Sequence, residues 1–292
     1  MMLDYLLLVG ALFANASLSL FNSFFQKKNR TRVGSTQLYN LVMISSVLIT
    51  WAVIWAFEGG FSLKVLPYSL IFGVGYSAAI IGLFNAIKCG PTALSTLILQ
   101  LSLIATAVWG LFFWGSPVTV PVILGLILVA VSLFCCIYTK SSDSENRVSL
   151  KWIIWVSICF VGNSAASIVA RVQQIDFDGL HKGQFITLAT LITLVICIIM
   201  YARSDKRDTA VVLKKSGYLP ILSGVLNALY SVLILVLATS KVVPASLLYP
   251  TVGVGSIALV SLFAQFVLKE RMSKLQWTGL VIGAVATALL SI

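Results

Sequence analysis

Ten near-continuous apolar blocks follow one another along the chain, at 3–26, 37–57, 66–87, 91–114, 118–138, 152–171, 184–201, 218–240, 244–268 and 275–292. At about 1.5 Å of rise per residue, a helix of roughly 18 to 24 residues crosses a hydrocarbon core of ~30 Å. Strands of a membrane barrel would alternate apolar with polar residues and need only about ten residues each, so helices are the expected element. Charged residues make up 10% of the 292 and hydrophobic residues 59%, where soluble domains are about a quarter charged. An all-α integral membrane fold with ten transmembrane helices is expected, with the lipid bilayer as the main partner. The first block has no basic residue ahead of it and exceeds a signal-peptide core, so it counts as a span.

The net charge of +11 comes from 20 Lys and Arg against 9 Asp and Glu. These basic residues sit in short connections between blocks and form no basic face, so no nucleic acid is expected as a partner. The five cysteines, Cys89, Cys135, Cys136, Cys159 and Cys197, lie in or beside apolar blocks without metal-ligand spacing, and read as helix-packing residues. No metal and no cofactor is expected.

The polar stretch KSSDSENRVSLK, at 140–151, divides the blocks into two groups of five. Laid over each other, the groups put Asn15 on Asn163 and Gln26 on Gln174 with a shift of 148, and Pro91 on Pro244 and Lys88 on Lys241 with a shift of 153. Gly73 falls on Gly224 and Gly125 on Gly279. The common order of these pairs predicts two repeats, 1–139 and 151–292, with a connecting loop at 140–150. Five is odd, so tandem copies must enter the membrane in opposite orientations.

Loop charge agrees with that inversion. The connections after the odd-numbered blocks hold 16 Lys and Arg, and those after the even-numbered blocks hold 4, with Arg171 counted in the connection after block six. By the positive-inside rule the first set is cytoplasmic, which puts both termini on the extracytoplasmic side of the plasma (inner) membrane. The basic connection follows the first helix in one half (KKNRTR, 27–32) and the second helix in the other (ARSDKRDTAVVLKK, 202–215).

The segment VPASLLYPTVGVGSIALVSLFAQFVLKERMSKLQWTGLVIGAVATALL, at 243–290, resembles the last two helices of the EamA-like branch of the drug/metabolite transporter superfamily. Pro244, Pro250, the LKER turn at 268–271 and the QWTG entry at 276–279 carry the resemblance. A weaker copy, CGPTALSTLILQLSLIATAVWGLFFWG at 89–115, has Leu97 where the second half has Pro250, and WGSP in place of the acidic turn. The resemblance implies two inverted five-helix repeats around a central substrate cavity reached alternately from each side. It also implies cytoplasmic termini, where the loop charge predicts extracytoplasmic ones.

None of the nine carboxylates falls in the middle of a block. Intramembrane acids usually mark proton relays and ion sites, so a neutral or zwitterionic solute is expected in preference to a bare cation. Asp4 lies within a turn of the start and reads as interfacial. What remains inside the blocks is uncharged hydrogen-bonding capacity: Asn15, Asn22, Tyr76, Asn85, Gln100, Asn163, Asn227, Tyr230, Tyr249 and Gln265. A pocket that orients a small solute needs a few convergent polar groups among apolar walls. Asn15, Asn163, Tyr76, Gln100, Asn227, Tyr230 and Tyr249 are the candidate substrate-binding set, with interhelix bonding as the simpler alternative for each. Pro250, Gly253 and Gly255 are candidates for a gating kink, because Pro250 frees the carbonyl of Ser246. Trp152, Trp155 and Trp277 are expected in interfacial belts.

The inverted repeat, together with what the resemblance implies, points to a secondary transporter moving a small polar or amphipathic metabolite or drug by alternating access, as a monomer or homodimer. The alternatives are a channel or a non-transporting membrane protein. A channel normally shows rings of charge or a repeated filter, and a membrane enzyme needs an acid, base or metal cluster inside the bilayer. No enzymatic activity is expected.

Overall fold

In hydrocarbon an unpaired backbone N–H or C=O is costly, so an apolar block can cross only by closing its hydrogen bonds within itself. A computed structural model describes residues 2–29, 31–89, 92–114, 119–137, 149–240, 242–266 and 273–290. Among the described residues there are eleven α-helices and no strand. They are α1 (Met2–Asn29), α2 (Ser35–Glu58), α3 (Leu66–Cys89), α4 (Thr92–Phe113), α5 (Val120–Ile137), α6 (Leu150–Asp176), α7 (Lys182–Ala202), α8 (Thr209–Ser216), α9 (Tyr218–Ala238), α10 (Ala245–Phe266) and α11 (Lys274–Leu290). Six apolar stretches, in α1, α2, α3 with its preceding turn, α6, α7 and α9, are long enough to cross a membrane. Shorter apolar runs fall in α4, α5, α10 and α11. The outward faces are apolar, with Ile127, Val161 and Val281 each more than half exposed, so the protein is a membrane protein by length, composition and surface.

Two expectations need correction. The connection at 202–217 is not all loop, because it holds α8. Eight residues are too few to cross, yet Val212 is buried against the cluster that includes Phe25, Leu38 and Tyr39. Lys214 and Lys215 occupy its last turn, where the helix dipole favours cations. The second correction concerns α6, which runs past Arg171 to Asp176. Arg171, Gln173 and Gln174 are buried within it.

The connections sort into two ends. At one end Val33 N–H donates to Asp208 Oδ2 at 2.9 Å and Lys28 Nζ to the Lys215 carbonyl at 3.1 Å, joining the connection after α1 to the region around α8. At the other end Gly183 N–H donates to Glu58 Oε2 at 2.8 Å, with Lys182 Nζ 3.3 Å from Glu58 Oε1. Ser240 Oγ donates to Asp4 Oδ1 there, at 3.1 Å, and Tyr68 donates to Asp176 at 2.7 Å. The first end carries KKNRTR and ARSDKRDTAVVLKK, the two most basic connections.

Helix packing is ordered. α3 lies against α6 and α7, and α9 against α1 and α2; α4 contacts α6, and α10 contacts α1. The pairs α2–α7, α4–α10 and α5–α11 pack directly. Glycine permits close crossings: a Cβ on Gly73 would stand 2.7 Å from the Ala189 carbonyl of α7, and one on Gly224 would stand 2.6 Å from the Met43 carbonyl of α2.

Candidate solute cavity

Where α1, α2, α3, α6, α7 and α9 converge, with single residues from α4 and α10, they leave a cavity of about 280 Å³. Its wall is mostly aliphatic and aromatic, with polar groups at intervals, as small-molecule sites are built. Among the described residues, none of α5, α8 or α11 lines it.

Six of the candidate binding residues meet at this wall: Asn15, Tyr76, Asn163, Asn227, Tyr230 and Tyr249. Asn15 Nδ2 on α1 donates to Ser256 Oγ on α10 at 3.0 Å, and Asn163 Nδ2 on α6 donates to Ser102 Oγ on α4 at 2.6 Å. Each amide therefore bonds a neighbouring helix and also faces the cavity, so interhelix bonding and cavity lining coexist. Ser256 Oγ donates its own hydrogen bond to the Val252 carbonyl at 2.6 Å, which leaves its lone pairs to accept from Asn15. Asn227 Nδ2 donates to Tyr76 Oη at 3.2 Å, bridging α9 and α3 across the wall. Asn22, seven residues from Asn15 and on the same face, also lines the cavity, and its Oδ1 has no hydrogen-bond partner among the described residues.

The gating candidates lie elsewhere. α10 continues as helix through Pro250, which is buried, as is Gly253, and neither lines the cavity. Gly255 lets α1 pass close by, since a Cβ there would collide with the Leu12 side chain. Asn85 turns back to the Ile81 carbonyl at 2.9 Å and lies off the cavity. Trp152 is buried, not belt-like, and donates Nε1 to Ser95 Oγ at 2.9 Å. Gly90, Pro91, Lys241, the LKER turn and the linker at 140–148 lie outside the described residues, as do the side chains of Gln26, Lys88, Gln100 and Gln265.

Sequence reasoning missed Asn40 and Thr190 on the wall and Arg171 beside it. Arg171 is 7% exposed. Its guanidinium lies over the Trp114 ring at 5.1 Å and beside the Tyr249 hydroxyl. Nε and Nη1 have no hydrogen-bond partner among the described residues. The signal was a lone arginine at the end of block six, which ending the span at the charge assigned to a loop.

No family model matches the chain. Over 216 residues it is 22% identical to an uncharacterized protein of Haemophilus influenzae, a match covering 74% of this chain and 72% of that relative. The fold recurs in a protein of known crystal structure, with a TM-score of 0.73 over 99% of this chain and 96% of that one, at 11% sequence identity. At that identity the likeness is one of fold.

Proposed function

We propose that the chain is a secondary transporter of the EamA-like branch, moving a small polar or amphipathic metabolite or drug across the plasma (inner) membrane by alternating access. Its helices other than α8 form two inverted five-helix repeats, 1–139 and 151–292, with α8 an accessory in the second. The observation that carries the proposal is the pair of amide bridges at the cavity. Exchanging α1 with α6 and α4 with α10 turns Asn15–Ser256 into Asn163–Ser102. Under the same exchange, extended to α2 with α7, α3 with α9 and α5 with α11, α3–α6 becomes α9–α1, α3–α7 becomes α9–α2, and α4–α6 becomes α10–α1. The direct pairs α2–α7, α4–α10 and α5–α11 map onto themselves. A cavity on such an axis can open to either side by rocking one half against the other.

Both termini are extracytoplasmic on this proposal, because the end bearing KKNRTR and α8 takes the cytoplasmic side. The test is a ligand-stabilisation screen of the purified chain across amino acids, nucleobases, vitamins and amines, followed by uptake of the stabilising solutes into proteoliposomes. A ligand bound to the folded state raises Tm by linkage. Asn15→Ala and Asn163→Ala should each impair uptake while leaving folded protein in the membrane. Normal uptake by both variants rejects the axial site, and flux at conductance-like rates makes the protein a channel.

A further inference from the structure

A buried guanidinium with no carboxylate opposite it is costly in any interior, and more so in a protein surrounded by lipid. Among the described residues, Arg171 is such a group. Among the described residues it has no ion-pair partner. Asp176, the next acid along α6, is held by Tyr68 at 2.7 Å. Trp114 covers the guanidinium by a cation–π contact, which uses its face and leaves the in-plane N–H groups unspent. Two of those nitrogens, Nε and Nη1, are buried and have no hydrogen-bond partner among the described residues. Arg171 lies just outside the cavity lining: it continues the α6 stripe of Asn163, Ser167 and Ala170 that faces the cavity, and it sits beside Tyr249, which also lines it.

We infer that Arg171, just behind the cavity wall, is its anion anchor, and that the solute bears a carboxylate, held by the Arg171 N–H groups when the side chain turns past Tyr249 into the cavity, with the Tyr249 hydroxyl beside it and the apolar remainder against the aromatic and aliphatic wall. This rests on the transport reading given above. A carboxylate fits because the guanidinium fork matches its two oxygens. A single cation balances a single negative charge, which disfavours a phosphomonoester dianion. A volume of about 280 Å³ limits the solute to a small one.

The experiment uses the full chain in detergent and in proteoliposomes. The probes are benzoate, short aliphatic monocarboxylates and L-amino acids, each with its carboxamide, and one phosphomonoester. Carboxylates should raise Tm and the matched carboxamides should not. Arg171→Met should weaken carboxylate binding about 30-fold or more, and Arg171→Lys, which keeps the charge without the fork, about tenfold. If Arg171→Met does not fold, Arg171→Gln and the carboxylate-to-carboxamide comparison in the wild type decide the matter.

Equal binding of acid and amide, unchanged affinity in the variants, stabilisation by the phosphomonoester in place of the carboxylates, or no carboxylate binding at all overturns the anchor. Uptake of neutral solutes insensitive to Arg171 overturns it while transport stands. Carboxylate binding that depends on Arg171, with no uptake of any probe, keeps the anchor and overturns the transport reading.

Discussion

The two proposed halves agree in their frame and differ at one end of the cavity. Asn15 and Asn163 each bridge to a serine on the helix beside them, and Gly73 and Gly224 each admit a backbone carbonyl at corresponding crossings. Nothing comparable pairs with Arg171 and Tyr249. The shifts that align the halves put Ser23 opposite Arg171, Thr96 opposite Tyr249 and Leu97 opposite Pro250. What recurs is what holds helices together, and what does not recur is charged, aromatic or kinking. A two-fold frame can rock with equal ease to either side, but a solute is a single asymmetric object. Its recognition therefore has to come from residues present once.

The largest expected effect tests the frame. Gly73→Val and Gly224→Val each drive a side chain into a backbone carbonyl that cannot swing aside. Each should cost about 3 kcal/mol or more, seen as loss of monodisperse protein and a large fall in Tm. A valine tolerated at one position and not at the other would break the equivalence of the two crossings. Next in size is the loss of carboxylate binding in Arg171→Met, for which the first half should have no counterpart.

The amide bridges come third. An interhelical hydrogen bond in a membrane protein averages about 0.6 kcal/mol and reaches about 1.7, so Asn15→Ala and Asn163→Ala should lower Tm only slightly. Their effect on uptake should be larger, about tenfold in each, because an amide facing the cavity also orients the solute. Similar losses in the two variants sharpen the comparison, and a loss confined to one assigns that amide to the unmatched set.

How much of this was legible beforehand follows from physical range. Each apolar block announces its own helix, since the bilayer demands that every backbone group be satisfied locally; the ends of α2, α7 and α9 fall within about two residues of the sequence expectation. The polar residues that meet at the cavity were also visible, because an amide such as Asn163 in an apolar run must find a partner. Which partner it finds is a non-local matter. Ser102 lies 61 residues from Asn163 and Ser256 lies 241 from Asn15, and neither pairing has a local signature. Arg171 escaped because charge was taken as the end of a span, a rule that fails where an aromatic residue such as Trp114, just past the end of α4, covers the charge. α8 escaped because a two-turn helix held by one buried valine has too little periodicity to stand out from a basic loop.

The smallest effect concerns the two ends, where the frame predicts opposite responses. Glu58, at the close of α2, accepts from the Gly183 N–H at the start of α7. Asp208, beyond the close of α7, accepts from the Val33 N–H just ahead of α2. A helix of 24 residues is about 36 Å long, so the two clasps sit on opposite faces of the membrane. Both are partly solvated, and each should be worth no more than about 1 kcal/mol, a population shift of roughly fivefold. Glu58→Gln should favour opening at the Glu58 end and Asp208→Asn opening at the α8 end. The readout is labelling of a cavity cysteine, Ser167→Cys, by an impermeant maleimide added to one side of the proteoliposomes at a time. Glu58→Gln should speed labelling from its own side and slow it from the other, with Asp208→Asn doing the reverse. Two variants that shift labelling in the same direction would mean that the clasps stabilise the fold without gating it.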